Sequence, residues 1–279
     1  MLARVTSHAG RALRWDSNQA CWRWAGVGAP TLHALAAANR QIQTSKLPDR
    51  ATVLVPCRSG RLLLGLPKRL CLAALDPARA HRPLRMQALV AVDPAEPRTG
   101  ISDGCTDRRG NLVFGTGTDA PRCKIGSFYQ YSLAHGLRRL ALPVVAQAAS
   151  ICFSADGARM YFADAAQHRI LQCDYDADQA TVSDIRPFAM LPAGAVPHSS
   201  VLDTEGCLWN AQSGRLARYS PAGILKDSFE IDCRAPAFGG AGLAELLAAG
   251  TDGVVSFLTH RATGIPDTLF DDDVFSYAG

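Results

Sequence analysis

His198 stands in the segment Ala195–Trp209, "AVPHSSVLDTEGCLW", behind a proline and ahead of two serines. An imidazole in that setting has three chemical readings. It is suited to be a general base, because its pKa lies near neutrality. As a metal ligand it is poor: no Cys/His cluster surrounds it, and imidazole prefers zinc or copper to calcium. The third reading is a pocket-lining side chain with no catalytic duty. Ser102 or Ser199 with His198 and Asp103 also supplies the residue types of a nucleophilic triad. Those types are common, and no G-x-S-x-G elbow is read around either serine, so the triad is set aside. Asp103 precedes Gly104 and is expected to fold a turn by bonding its own backbone. Asp107, Asp156 and Asp203 read as turn acids of the same sort. The terminal "FDDDVF" lacks the spacing of a calcium loop and reads as a solvated tail. Nine scattered cysteines, with no C-x-x-C pair, each lie in or beside an apolar run. They read as small buried hydrophobes in a reducing compartment.

The elements that would position these residues come from a repeat. A polar turn with Gly, Asp or Asn is followed by a short strand-like run in "WDSNQACWRW", "CRSGRLLLGL", "DRRGNLVFGT", "SADGARMYFAD" and "DTEGCLWNAQ", with a worn sixth copy in "GAGLAELLAAG". Gly60, Gly110, Gly157 and Gly206 mark the turn at intervals of about 50 residues, a period that belongs to propellers and arrays. Each copy is a hairpin: the turn residue supplies backbone freedom and its flanks fit a pleated surface. One such sheet cannot bury both faces, whereas a closed ring of them can. Phe114 and Trp209 fall at strand positions and read as core. "TLHALAAANRQIQ" (Thr31–Gln43) has a spacing that suits a helix, but the repeat favours a strand pair or loop there. The expectation is an all-β, six-bladed β-propeller forming one domain over residues 1–279.

The totals fit a globular chain. Of 279 residues, 48% are hydrophobic, enough for a sizeable core. The net charge of +4 is spread over mixed signs, with no basic block to suggest a nucleic-acid partner. No apolar run approaches the roughly 20 residues of a membrane span, and the N-terminus lacks a secretory h-region. A cytoplasmic location is expected, with neither nucleic acid nor membrane as partner.

"SDGCTDRRGNLVFGT", "SICFSADGARMYFADAAQHRI" and "LDTEGCLWNAQSGRLARYSPAG" resemble the gluconolactonase, regucalcin and luciferin-regenerating-enzyme family. The resemblance is clear from about Arg98 onward and faint over Met1–Asp93. It implies a six-bladed propeller with one divalent cation, calcium or zinc, near its axis, hydrolysing sugar lactones. In such chemistry the cation polarises the carbonyl and activates water. Its ligands are hard oxygens, and one aspartate can double as base.

Carried over by resemblance, the family's first-blade glutamate corresponds to Arg11 in "GRALRWD". Its first asparagine corresponds to Ser102, followed by the retained Asp103 and Gly104. The arginine two residues earlier corresponds to Gly100, the second asparagine to Ala149, and the aspartate to His198. All four ligand positions therefore depart from the family pattern. A guanidinium repels a dication at any plausible dielectric, and an alanine side chain offers no donor. The expectation is a pocket lined by Arg11, Ser102, Asp103, Ala149 and His198, without a metal or other cofactor. Two functions stay open: a sugar-lactone hydrolase working with altered residues, with His198 as the catalytic candidate, or a non-enzymatic propeller that binds a small sugar lactone, a sugar acid or a protein partner. Arg11, Ser102 and His198 could line a small-anion pocket; the alternative is that Arg11 is a solvated surface residue. Ser102, Ala149 and His198 are each expected just ahead of the inner strand of their repeat, converging at one mouth of the channel.

Overall fold

The computed structural model describes residues 2–6, 10–75, 84–251, 254–258 and 260–273; among them are 24 β-strands and no α-helix. After β1 (Leu2–Thr6), the chain lays its strands down as antiparallel meanders. The first comprises β2 (Gly10–Asp16), β3 (Cys21–Gly26), β4 (Thr31–Ala36) and β5 (Ile42–Lys46). The second comprises β6 (Val53–Pro56), β7 (Leu62–Leu66), β8 (Arg69–Ala74) and β9 (Arg85–Ala91). β10 (Gly100–Thr106), β11 (Leu112–Gly117), β12 (Phe128–Ser132) and β13 (Gly136–Arg139) make the third. β14 (Ala148–Phe153), β15 (Arg159–Asp164), β16 (Arg169–Asp176) and β17 (Thr181–Met190) make the fourth. β18 (Pro197–Leu202), β19 (Leu208–Gln212), β20 (Arg215–Tyr219) and β21 (Leu225–Phe229) make the fifth. The last sheet is β22 (Ala235–Gly239), β23 (Glu245–Ala249) and β24 (Val254–Leu258), with β1 as its fourth, outer strand.

The first strands of the meanders touch in the order β2, β6, β10, β14, β18, β22 and back to β2, so the sheets close into a β-propeller. Pairing β1 with β24 ties the two ends of the chain into one sheet, which spares the ring an open edge. The core follows the same geometry. Each pair of neighbouring sheets encloses its own apolar cluster. Trp22 and Trp24, both fully buried, pack with Leu247 and Ala249 where the last sheet meets the first. Phe114 and Trp209 are likewise fully buried. Thr31–Gln43 is a strand pair: β4 runs against β5, with Leu35 opposite Ile42.

The hairpin turns use the anticipated residues. Gly60 and Gly110 have φ of 82° and 86°, left-handed values that a side chain resists. Asp107 accepts the backbone N–H groups of Arg109 and Asn111, and Asp203 those of Glu205 and Cys207. Asp156 accepts from Ala158 N.

Two expectations need correction. Asp103 folds no turn: it lies within β10 and its carboxylate reaches out to two other sheets, as described below. The acidic C-terminus is not a solvated tail where the structure describes it. Phe270 is fully buried in the cluster between the second and third sheets. Asp272 is buried too, accepting from Ser59 and ion-paired with Arg61 at 2.8 Å. Phe270 supplies the apolar burial and Arg61 the countercharge, so the aspartates sit beside it at little cost. Val274 and Phe275 lie outside the described residues. The same segment meets Gly110 through Asp271 N and the Asp203 turn through Thr263, crossing the ends of several sheets.

Candidate functional site

Four of the six inner strands carry a register shift, and these four build the site. The shifts fall between Arg11 and Arg14 in β2, Ile101 and Asp103 in β10, Ala149 and Cys152 in β14, and Pro197 and Ser200 in β18. β6 and β22 pair with their neighbours without one. A bulge places one extra residue against its partner strand and turns a side chain out of the alternation. Here it turns residues of four sheets toward the ring's axis. Ala12 and Ser150 adopt φ of 54° and 61°, a left-handed conformation that costs a non-glycine residue energy. Ser102, Ala149 and His198 therefore lie inside their inner strands rather than ahead of them, because the bulge is within the strand.

Arg11, Ser102, Asp103, Ala149 and His198 all border one cavity of about 210 Å³. Thr52, Gln147, Ser199, Arg234 and Thr251 add to its polar wall. The sequence reading did not single out Arg234. It precedes the innermost strand of the last repeat, where "CRAPAFGG" carries no polar motif; its place in the repeat was the available signal.

The carboxylate of Asp103 is buried and fully engaged. Oδ1 accepts from Ser199 Oγ at 2.9 Å, and Oδ2 accepts from Ile151 N at 3.1 Å. Burial raises its pKa above the ordinary carboxylate value, opposed by these bonds and by the charge of Arg14. Ser102 Oγ donates to the carbonyl of Ala148 at 2.9 Å. Gly100–Gly104 does spell G-x-S-x-G, but it runs along β10 rather than around a strand-to-helix turn. With Ser199 bonded to Asp103 and Ser102 to a carbonyl, neither serine is paired with His198. The arrangement holds no nucleophile and base in the sense of a triad.

His198 Nε2 is shut away from solvent and has no hydrogen-bond partner among the described residues. Burial first, and then the charge of Arg234, lower the imidazole pKa to about 4. The ring is neutral at pH 7 and a weak base. Asn210 supports it from behind, donating to the His198 carbonyl at 3.2 Å and to Ser200 Oγ at 3.0 Å.

Two guanidiniums border the same space. Arg11 is half-buried and Arg234 is exposed at the rim. Burial, then Arg234 and Arg50, lower the pKa of Arg11, so like charges outweigh the opposing Asp119. Neither side chain has a hydrogen bond or ion pair among the described residues. Those residues contain no group of three or more His, Cys, Asp and Glu side chains placed to hold a metal ion.

The SMP-30/gluconolactonase/LRE-like region matches residues 9–249, so the relationship extends through the first sheet as well as the later ones. An L-arabinolactonase from Azospirillum brasilense is 34% identical over 244 residues, covering 85% of this chain and 78% of that protein. Among solved structures, a luciferin-regenerating enzyme superposes with a TM-score of 0.86 at 22% identity, covering 97% of this chain and 99% of the other. A calcium-binding regucalcin from Agrobacterium tumefaciens gives 0.84 at 22% identity, covering 95% of each chain. With a match over most of its length and a relative above 30% identity, the chain belongs to the SMP-30/gluconolactonase/LRE-like family.

Proposed function

We propose that this chain is a six-bladed propeller whose axial cavity takes a small sugar lactone, or the sugar acid to which it opens, without the divalent cation of its family. The observation that carries the reading is the donor set at the four bulges. A hard dication needs oxygen ligands. The corresponding positions hold the guanidinium of Arg11, the methyl of Ala149, the imidazole of His198, and a Ser102 hydroxyl that already donates to a carbonyl. This set does not fit the cation, so no chemical step is routed through one. The cavity itself remains, with Thr52, Gln147 and Ser199 beside it to meet sugar hydroxyls. A cytoplasmic location accords with the nine cysteines, all free thiols. No helix among the described residues is long and apolar enough to cross a membrane.

The relative from Azospirillum favours a second reading: a lactone hydrolase in which His198 acts as base at the family's aspartate position. The solvent-shut Nε2 and the low pKa weigh against it, since a base must reach the water that it deprotonates.

One experiment separates the two readings. Acid release from L-arabinonolactone is followed with chelator and with added calcium or zinc, beside the melting temperature in each condition. The first reading expects no hydrolysis above the spontaneous rate and little shift with either metal, but a rise in melting temperature with lactone or its acid. Chelator-resistant hydrolysis that His198→Ala abolishes would establish the second. A metal-dependent rise of several degrees would overturn the loss of the cation.

A further inference from the structure

Two guanidiniums with no hydrogen-bond or ion-pair partner among the described residues border one small cavity. Several arginines of this molecule are matched by carboxylates. Arg23 pairs with Asp16 at 2.8 Å, Arg61 with Asp272 at 2.8 Å, and Arg218 with both Asp203 and Glu205. Arg11 and Arg234 have no such partner among the described residues, although Arg11 is half-buried. The nearby acids have donors of their own. Asp103 is taken by Ser199 and Ile151 N, and Asp232 accepts from the hydroxyl of Thr251 at 2.8 Å. Asp119 is exposed. His198 adds a neutral ring and an unsatisfied nitrogen to the same wall.

We propose that Arg11 and Arg234 form an oxyanion clamp, and that the cavity selects the open-chain carboxylate of a sugar acid over the neutral lactone. The inference rests on the reading that the cavity takes a sugar-derived ligand. Guanidiniums bind carboxylates through paired, charge-assisted hydrogen bonds. Arg11, deeper in the wall, would hold the carboxylate, while Arg234 at the rim would draw the anion in and close over it. The sugar hydroxyls then fall to Thr52, Gln147 and Ser199, which border the cavity. In this arrangement the positive charge that the family takes from a cation is built into the chain, and it attracts the ring-opened acid.

The test is calorimetry on the full chain in chelator, with four probes: L-arabinonate, L-arabinitol, L-arabinonolactone and inorganic phosphate. Arabinonate and arabinitol share a polyol chain and differ in the charged end. Arabinonate should bind about tenfold or more tightly than arabinitol, the size of effect that a charged hydrogen bond supplies. Its affinity should fall as sodium chloride is raised. Arg11→Leu and Arg234→Leu should each weaken arabinonate about tenfold and leave arabinitol unchanged, with Arg11→Lys retaining part of the preference. Circular dichroism and melting curves show that each variant is folded before it is titrated. If arabinitol or the lactone binds as well as arabinonate, the clamp is wrong and the sugar-cavity reading stands. If phosphate binds as tightly as arabinonate, the site is a plain anion site and the sugar-acid assignment fails. If no probe binds, both readings fail together.

Discussion

His198 shows how one side chain's surroundings set its chemistry. In the fold its imidazole stays neutral down to about pH 4, whereas a free imidazole takes its proton near 6.5. Above pH 6.5 both states of the chain are neutral at this residue, and it adds no pH dependence. As the pH falls from 6.5 toward 4, only the unfolded chain gains the proton, so folding stability falls. The loss reaches about 3 kcal/mol at the lower end, from 1.36 kcal/mol per pH unit over that window. Melting curves from pH 7.5 to 4.5 should therefore fall more steeply for the unmodified protein than for His198→Gln. Parallel curves would mean that the ring reaches water. Asp103 is the opposite case, a buried carboxylate needed as an acceptor. Asp103→Ala would strand Ile151 N and Ser199 Oγ and should cost about 1–3 kcal/mol in urea denaturation. Asp103→Asn, which keeps one acceptor oxygen, should cost less. The residue types at the site were legible in the sequence, because the family resemblance pointed to Ser102, Ala149 and His198. Their partners were not. Asp103, Ile151 and Ser199 come from three different sheets, and no local pattern encodes a bond between residues 48 or 96 positions apart.

At the scale of the element, the bulges do the positioning. Hairpins were readable from Gly60, Gly110, Gly157 and Gly206, because a left-handed turn restricts which residue can occupy it. The bulges were not, since Arg11-Ala12 and Ala149-Ser150 bend without any glycine to announce them. The C-terminal segment was misread for a related reason. Three consecutive aspartates look solvated until Arg58 and Arg61, more than 200 residues earlier, are brought against two of them. Phe270 is the apolar anchor of that segment, stacked over Tyr131 at 6.2 Å and touching the second sheet through the Cys57–Phe270 bridge. Phe270→Ala should destabilise the fold by about 3–5 kcal/mol, while Asp273→Ala, in an exposed residue of the same segment, should change little. Denaturation midpoints for the two variants check this. Equal midpoints would show that the segment is only draped over the ring.

At the scale of the molecule, the site exists because the ring closes. Arg11, Ser102, Ala149 and His198 come from four sheets and span nearly 190 positions of sequence, yet they border one cavity. On the proposed reading, that geometry makes the loss of the cation reversible in principle. Each position already lies at its bulge, so the missing feature is the donor atom rather than the scaffold. Restoring only one carboxylate, by His198→Asp, should yield an ion pair with the nearby cationic side chains and no cation site. Changing all four together, Arg11→Glu, Ser102→Asn, Ala149→Asn and His198→Asp, removes the repelling guanidinium and supplies four oxygen donors. Calcium should then stabilise the quadruple variant by mass action, about 2.7 kcal/mol at a hundredfold excess over its dissociation constant. The single variant should show no such gain. Calorimetry with calcium and zinc, and melting curves with and without chelator, read out both. If the quadruple variant folds and binds no cation, the groups that orient the ligands have drifted as well. If the unmodified chain binds calcium as tightly as the variant, the cation is held by residues other than these four.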